Sequence, residues 1–426
     1  MITGGRPLSG SVKIAGAKNA ASKMMIASLL TDEKVALSNI PLQQETDIAK
    51  ELIEMVGAKT LLSDHTMTIR AESIASTSTM AQTRRNRLSI LLAGPLLHRE
   101  GHAVVPRVGG DKIGARPVNY HLKALSKMGA EVAETEEGWE FKVEGRLKGI
   151  SFELPYPSVG ATETMIFAGV LADGKTVIKN AAIEPEIMDL IMMLQKMGAV
   201  IELGAERSIH IVGVEKMTGC EHRIIPDRLE AASYACIALA TGGEIFCEEA
   251  RQDDMITFLN AVRNIGGEYE VREDGILFRG KDEYLPIEIA TDTFPGFSTD
   301  WQQPFVVVLT RAKGESVVHE TVYEDRFKYT KVLNEMGADI TIDYLPDRVS
   351  GQFRHQNYQQ SAIIKGPTPL KATNMTVPDI RAGLAYVAAA LVADGTSKLD
   401  GVDHLERGYE DLYGKLAAIG AIIDIQ

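Results

Sequence analysis

Several residue types are scarce in this sequence, and each scarcity narrows the class of protein. There are three cysteines, Cys220, Cys236 and Cys247, without a CxxC pair. A disulfide framework or zinc site is therefore not expected, and a reducing cytoplasm is favoured. The nine histidines show no metal-ligand spacing, so no metal is expected. No run reaches the roughly 18 apolar residues of a membrane span, and the opening lacks the pattern of a signal peptide.

Positive charge is also in the minority. Lys and Arg number 45 against 58 Asp and Glu, which gives a formal net charge of -13. So acidic a chain is unsuited to general binding of nucleic acid or anionic lipid, and neither is expected as a partner. Walker and dinucleotide-binding glycine motifs are absent, and no cofactor is expected. A length of 426 residues, 45% of them hydrophobic, indicates a globular protein of two or more domains.

What the sequence does contain is an internal repeat. A phrase such as "KMGAEV" ends a helical pattern six times, at intervals of 68 to 83 residues. Its first glycine is at Gly57, Gly129, Gly198, Gly266, Gly337 and Gly420. Each glycine follows an amphipathic run and precedes alternating apolar residues, which predicts a helix C-cap leading into a strand. The chain is therefore predicted to repeat one structural unit six times.

The content of each repeat follows from a second phrase. "MIFAGVLADGKTVIKN" predicts an apolar helix, a turn and a strand, so a repeat consists of helix, strand, helix and two strands. The hairpin in "EYEVREDGILFRG" is expected to turn at Asp274-Gly275. The sixth copy stops at "GAIIDIQ", and the N-terminal "PLSGSVKIAG" is expected to supply its missing strand. An α/β protein of two three-repeat domains is predicted, residues 18–225 and residues 1–17 with 226–426, with a cleft between facing surfaces.

Polar residues recur just before the predicted helices. Helix N-termini carry unpaired N–H groups and the positive end of a dipole, so an anionic ligand is expected there. For Asp189, Asp227 and Ser158 the simpler interpretation is a helix N-cap.

Cations at helix starts need a different explanation, because they oppose the helix dipole. For Arg116, Arg326 and Arg381 we favour anion binding over an ion pair between repeats. Lys18 lies between small residues that allow close approach of a ligand to the backbone, and it is interpreted in the same way.

Seven segments make the chain resemble the UDP-N-acetylglucosamine 1-carboxyvinyltransferases, enolpyruvyl transferases that begin peptidoglycan precursor synthesis. They are "GAKNAA" (16–21), "IGARPVNYHL" (113–122), "SVGATET" (158–164), "PDRLE" (226–230), "GFSTD" (296–300), "DIRAG" (379–383) and "ERGYEDL" (406–412). Their order and spacing agree with the family over essentially the whole chain. The resemblance implies a two-domain inside-out α/β barrel built from six repeats of about 70 residues. It also implies a cytoplasmic enzyme, which we expect to be a monomer.

The resemblance further implies the reaction and its residues. The 3-hydroxyl of UDP-N-acetylglucosamine would attack C2 of phosphoenolpyruvate while C3 is protonated, and phosphate would leave from a tetrahedral intermediate. The implied catalytic residues are Lys18, Asp111, Arg116, Asp300 and Arg407. The implied substrate-binding residues are Asn19, Arg87, Pro117, Val118, His121, Ser158, Val159, Gly160, Thr299, Val322, Arg326, Asp379 and Arg381.

Individual roles are implied for several of these residues. Lys18, Arg116 and Arg407 would hold the phosphate of phosphoenolpyruvate, which must be bound while charge shifts during the reaction. Arg326 and Arg381 would lie near its carboxyl end or the intermediate, with Asp379 supporting the arginines. Asp300 would be the base at the sugar hydroxyl.

Three positions depart from the family pattern. Family members commonly have Cys where this chain has Asp111 and Lys where it has Gln44, and Lys23 replaces a usually apolar residue. Asp111 follows the glycine pair Gly109-Gly110 in a loop typical of chemical sites. It is expected to replace the thiol as the acid that protonates C3. Fosfomycin alkylates the family's loop cysteine, and a carboxylate is a far poorer nucleophile than a thiolate, so resistance is expected.

Two alternative functions stay open. One is enolpyruvyl transfer to another acceptor, either a different nucleotide or shikimate 3-phosphate, which a phosphate-release assay would distinguish. The other is a non-catalytic ring resembling sliding clamps, which also repeat α/β units sixfold. A clamp would spread basic residues over one continuous surface, whereas here they cluster in short segments before helices.

Overall fold

The structure is a computed structural model that describes residues 1–82, 86–109, 118–345, 360–377, 380–406 and 408–425, with only the backbone of 380–382, 404 and 406. The helices are α1 Lys18–Ala27, α2 Gln44–Met55, α3 Ala93–Glu100, α4 Asn119–Lys127, α5 Val159–Gly169, α6 Pro185–Lys196, α7 Arg228–Thr241, α8 Ile256–Asn264, α9 Gln302–Leu309, α10 Thr330–Glu335, α11 Ile380–Val392, α12 Asp403–Glu406 and α13 Leu412–Ala418. Among these described helices, none has both the length and the apolar character needed to cross a membrane.

The strands are mostly short. They are β1 Ile2–Thr3, β2 Ser9–Lys13, β3 Val35–Ser38, β4 Lys59–Ser63, β5 Thr66–Arg70, β6 His102–Pro106, β7 Glu131–Glu134, β8 Gly138–Lys142, β9 Ser151–Glu153, β10 Lys175–Lys179, β11 Val200–Gly204, β12 Ser208–Val212, β13 Glu221–Arg223, β14 Glu244–Glu248, β15 Glu268–Arg272, β16 Gly275–Arg279, β17 Glu288–Ala290, β18 Gly314–His319, β19 Asp339–Asp343, β20 Ser361–Gly366, β21 Asn374–Thr376, β22 Thr396–Asp400 and β23 Ile422–Ile423.

The chain forms two compact units, each with its own hydrophobic core. The terminal unit comprises Met1–Ala15 together with the chain from Pro226 onward, and the inserted unit comprises the described residues from Gly16 to Ile225. In both units the apolar helices α1, α5, α7 and α9 are almost wholly buried, whereas the helices before the repeat glycines are amphipathic.

One sheet topology recurs through both units. In each four-stranded sheet, an edge strand runs parallel to the strand that follows an apolar helix, and two antiparallel strands lie on the other side. In four of these sheets the two strands are consecutive in the chain, whereas in the sheet β21-β22-β1-β23 they are β1 and β23, from the two ends of the chain. The three-stranded sheet β6-β8-β7 has a parallel bridge from Ser78 to Val104 in the place of its edge strand. In the inserted unit β13 pairs with β3, so the last strand of that unit closes onto its first.

The six repeat glycines end their helices as predicted. All six have positive φ, between 83° and 106°. At Gly198 the amide donates to the Gln195 carbonyl at 3.0 Å, and the next amide, of Ala199, donates to Leu194 at 2.9 Å. The same pair of bonds occurs in every copy and defines the Schellman motif, in which a left-handed residue satisfies the last carbonyls of the helix. The helix-to-strand prediction is confirmed in all six repeats.

Two details of the sequence-based prediction are wrong. The strand that completes the sixth repeat is β1, which lies between β22 and β23, whereas "PLSGSVKIAG" forms β2 at the edge beside β14. A two-residue strand followed by Gly4-Gly5 carries no periodicity that could have identified it. In the predicted hairpin, Glu273 and Asp274 form the turn and Gly275 begins β16. A Cβ at Gly275 would lie 2.3 Å from the Cys247 carbonyl oxygen, so close packing explains that glycine.

Candidate active site

Lys18 and Asn19 are the first two residues of α1 in the inserted unit, and both are half-buried. The N-cap residue is Ala17, which provides no side-chain cap. Its amide donates to the Ile225 carbonyl at 2.7 Å, which fixes the helix start beside the end of the unit. A Cβ at Gly16 would lie 1.8 Å from the Asn39 carbonyl oxygen. A cation at the start of a helix without a side-chain cap is suited to binding an anion.

The predicted residues of α4 and α5 lie together in the same unit. His121 is 4% exposed, and its Nδ1 is 2.7 Å from Thr164 Oγ1. An ideal Cβ on Gly160 would approach the His121 ring to 3.1 Å, so a larger residue would press on the imidazole. Burial, and secondarily the charge of Arg87, lower the pKa of His121 to about 3. The ring is therefore neutral near pH 7 and serves as a hydrogen-bonding group rather than a proton donor.

The remaining predicted residues of this unit surround the same helix starts. Ser158 is the N-cap of α5 and accepts the Ala161 amide at 3.4 Å. Val159 and Gly160 are the first two residues of that helix, and Val118 is the buried residue preceding α4. Arg87 is half-buried and acts electrostatically on His121.

In the terminal unit, Asp300 and Arg326 form an ion pair. The Arg326 side chain is 3% exposed and that of Asp300 is 24% exposed. In the amide orientation that satisfies its neighbours, Gln303 accepts from Arg326 Nε at 2.6 Å and donates to the Thr299 carbonyl at 3.2 Å. Arg326 also lies over the Tyr323 ring, 5.6 Å from its centroid. Asp300 and Arg326 precede the first and second helices of one repeat, so this ion pair lies within a repeat and is not the pair between repeats that was the alternative explanation for Arg326.

Glu320 organises this part of the terminal unit, and sequence reasoning missed it. Its Oε1 accepts the amides of Val322 and Tyr323 at 2.8 and 3.0 Å, and its Oε2 accepts from Thr299 and Gln302 at 2.8 and 3.1 Å. Burial raises the pKa of this carboxyl, while Arg326 and the hydrogen bonds oppose the rise. The only local sequence signal for Glu320 was its position as an acid directly after the apolar strand β18.

The N-cap predictions have mixed outcomes. Asp227 accepts the Leu229 and Glu230 amides at 2.8 and 3.2 Å at the start of α7, so it is an N-cap as expected, and so is Ser158. Asp189 is not an N-cap. It lies within α6, which begins at Pro185. Its carboxylate is hydrogen-bonded to His222 and to the Ile225 amide, so it does not cap the helix.

Five predicted residues lie outside the described residues. They are Asp111, Arg116, Pro117, Asp379 and Arg407. Arg381 lies in α11, and only its backbone is described.

Comparison with known proteins identifies the family. A model of the EPSP synthase (3-phosphoshikimate 1-carboxyvinyltransferase) family matches residues 2–416. A UDP-N-acetylglucosamine 1-carboxyvinyltransferase of Protochlamydia amoebophila is 46% identical over all of this chain and 93% of its own length. One of the same name from Chlamydia muridarum is 44% identical, covering 99% of this chain and 97% of its own. The chain belongs to the UDP-N-acetylglucosamine 1-carboxyvinyltransferase family.

The solved structures agree on the fold. The enolpyruvyl transferase NikO from Streptomyces tendae superposes with a TM-score of 0.85 at 21% identity, covering 99% of this chain and 97% of its own. The predicted fold, an inside-out α/β arrangement of six repeats, is thus the enolpyruvyl transferase fold.

Proposed function

We propose that this chain transfers the enolpyruvyl group of phosphoenolpyruvate to the 3-hydroxyl of UDP-N-acetylglucosamine, with release of phosphate, as the first committed step of peptidoglycan precursor synthesis. The observation that carries the proposal is the 40 to 46% identity, over nearly the full chain, to relatives bearing that enzyme's name. Membership in a transferase family also argues against the ring-protein alternative.

The proposed chemistry gives each predicted site residue the role that the family resemblance implies. The sugar O–H electron pair would form the bond to C2, and its proton would pass to an Asp300 carboxylate oxygen. The C2=C3 electron pair would take a proton at C3 from Asp111, and elimination of phosphate and of a C3 proton would restore the double bond. Lys18, with Arg116 and Arg407, would hold the phosphate, where a charge-assisted hydrogen bond is strongest. Asn19, Ser158 and Thr299 would bind the nucleotide sugar.

Several finer features are also proposals. The two compact units support domains of residues 18–225 and of 1–17 with 226–426. We propose cytoplasmic action as a monomer, without nucleic acid, membrane or cofactor. The net charge of -13 supports the exclusion of nucleic acid and anionic membranes.

The deciding experiment concerns the acceptor, because the matching family model is named for an enzyme of shikimate chemistry. Phosphate release from phosphoenolpyruvate is measured with UDP-N-acetylglucosamine, with a second nucleotide sugar and with shikimate 3-phosphate. Release with UDP-N-acetylglucosamine alone is the expected result. Release only with another acceptor would replace the proposal by the corresponding transferase.

A further inference from the structure

Glu320 connects two segments that carry proposed substrate-binding residues. It is 1% exposed, and its carboxylate accepts four hydrogen bonds, two from the 299–302 segment and two from the backbone at 322–323. All four contacts are donors, so the ionised carboxylate is the form that matches them. Thr299 and Val322 therefore keep their relative positions through one buried acid.

Arg326 is shared between Glu320 and Asp300. Its buried guanidinium pairs directly with Asp300 and acts electrostatically on Glu320, while the Gln303 amide oxygen accepts two of its N–H groups. The two acids differ in access to solvent, because the Asp300 side chain is 24% exposed and Glu320 is 1% exposed. Asp300 is therefore the acid that a substrate hydroxyl can reach, and Glu320 is the acid that stays enclosed.

This arrangement matters when Asp300 accepts a proton. A neutral Asp300 would leave Arg326 as a buried cation without its paired charge, which is costly in a protein interior. The Glu320 carboxylate remains negative and still compensates that cation. We propose that Glu320 is a positioning residue that sustains the proton affinity of Asp300 through Arg326, while it fixes Thr299 and the Val322 backbone. The inference rests on the proposed function, in which Asp300 takes the proton of the sugar hydroxyl.

The other groups around this cluster do not replace Glu320. Two titratable groups near Arg326 or Glu320 are Tyr323, whose ring lies under the Arg326 guanidinium, and the buried Tyr329. Tyr329 donates its hydroxyl to Gln302 Oε1 at 2.8 Å, and burial raises its pKa well above the usual value, so it stays neutral. Among these groups, Glu320 is the one that supplies a second negative charge to Arg326.

The test is the pH profile of phosphate release with phosphoenolpyruvate and UDP-N-acetylglucosamine, measured as kcat and kcat/KM. Glu320→Gln removes the charge and keeps the size. We expect turnover to fall at least about tenfold and the acid limb of the kcat/KM profile to move by about one pH unit to lower pH, because Asp300 holds its proton less tightly. Glu320→Asp keeps the charge, so the acid limb of its kcat/KM profile should stay at the same pH although turnover falls.

Glu230→Gln is the matched control. Glu230 is also a buried acid of the terminal unit, but it accepts the Ala15 amide at 2.8 Å and pairs with Lys415 at 2.7 Å. Glu230→Gln should lower the stability of the protein without moving the acid limb of the kcat/KM profile. A Glu320→Gln limb that coincides with that of the unsubstituted enzyme would overturn the inference. If that variant does not fold, a shifted limb in Glu320→Asp would overturn it instead. An unsubstituted enzyme inactive with both substrates would overturn the proposed function itself.

Discussion

His222 Nε2 lies 2.9 Å from Asp189 Oδ1, and both side chains are buried, at 4% and 2% exposure. The second Asp189 oxygen accepts the Ile225 amide at 3.0 Å. Because His222 belongs to β13, the Asp189 carboxylate links α6 to the strand that closes the inserted unit. Through Ile225 it also links α6 to the last residue of that unit.

Replacing Asp189 should destabilise the inserted unit. Asp189→Ala leaves buried N–H groups without their acceptor, and we expect a loss of about 3 kcal/mol. For a unit of this size that corresponds to a thermal midpoint lower by roughly 6 to 12 °C, measured by calorimetry. The control is Asp400→Ala, which breaks an exposed pair with Lys398 and should cost less than about 1 kcal/mol. Equal effects of the two substitutions would contradict the assigned role.

Substitutions at Gly198 test whether the repeat glycines are required as helix C-caps. The φ of Gly198 is 99°, and an ideal Cβ there would meet no atom within 4 Å. The cost of Gly198→Ala is therefore conformational, about 1 to 2 kcal/mol, and Gly198→Asn should cost less because Asn tolerates the left-handed region. At Gly213 a Cβ would lie 1.7 Å from the Ala172 carbonyl oxygen, so Gly213→Ala should lower the thermal midpoint further. An unchanged midpoint for Gly198→Ala would refute the C-cap explanation.

The sequence predicted those features whose cause is local. A C-cap glycine and the strand after it occupy adjacent residues, so the repeat was recognisable, and local patterns correctly predicted that Lys18 lies at a helix start and that Ser158 is an N-cap. Long-range roles were not recognisable. Asp189 resembled an N-cap because its partner lies on a strand 33 residues away. Glu320 was missed because its donors come from two separate segments.

Glu163 predicts an unusual dependence of stability on pH. Burial, with help from Glu184 and Glu186 and against the charge of Lys23, raises the pKa of this carboxyl from 4.5 to about 7. Between those values the unfolded chain releases a proton that the folded chain keeps, so this contribution to stability is complete below pH 4.5 and is lost as pH rises to 7.

Glu163→Gln should remove that loss. At pH 8 the variant should be more stable than the unsubstituted protein by up to about 3 kcal/mol, and the difference should vanish near pH 4.5. Thermal midpoints across this range measure it. Glu72→Gln, at an exposed pair with Arg70, is the control and should show no such trend. A destabilising effect of Glu163→Gln at pH 8 would show that nearby groups stabilise the ionised Glu163 carboxylate enough to offset its burial.

Lys18 should contribute to turnover rather than to folding. If it holds the phosphate of phosphoenolpyruvate, Lys18→Ala removes a charge-assisted hydrogen bond of about 1.5 to 3 kcal/mol, so kcat/KM should fall tenfold or more. Lys50→Ala breaks an exposed i,i+4 pair with Glu54 and should leave kinetics unchanged. Normal kinetics in the Lys18 variant would remove this residue from the proposed site.

The last prediction concerns Asp111, which lies outside the described residues. The resemblance implies that fosfomycin inactivates other family members by alkylating a cysteine at this position, and a thiolate is a much stronger nucleophile than a carboxylate. Incubation with fosfomycin should therefore leave the mass of the chain unchanged. As the proposed acid at C3, Asp111 must carry a proton in the complex, so Asp111→Asn should nearly abolish turnover. Asp111→Cys should retain some activity and gain both the fosfomycin adduct and sensitivity to it. A mass increase in the unsubstituted chain at this segment, or normal turnover by Asp111→Asn, would show that the carboxyl group does not replace the thiol.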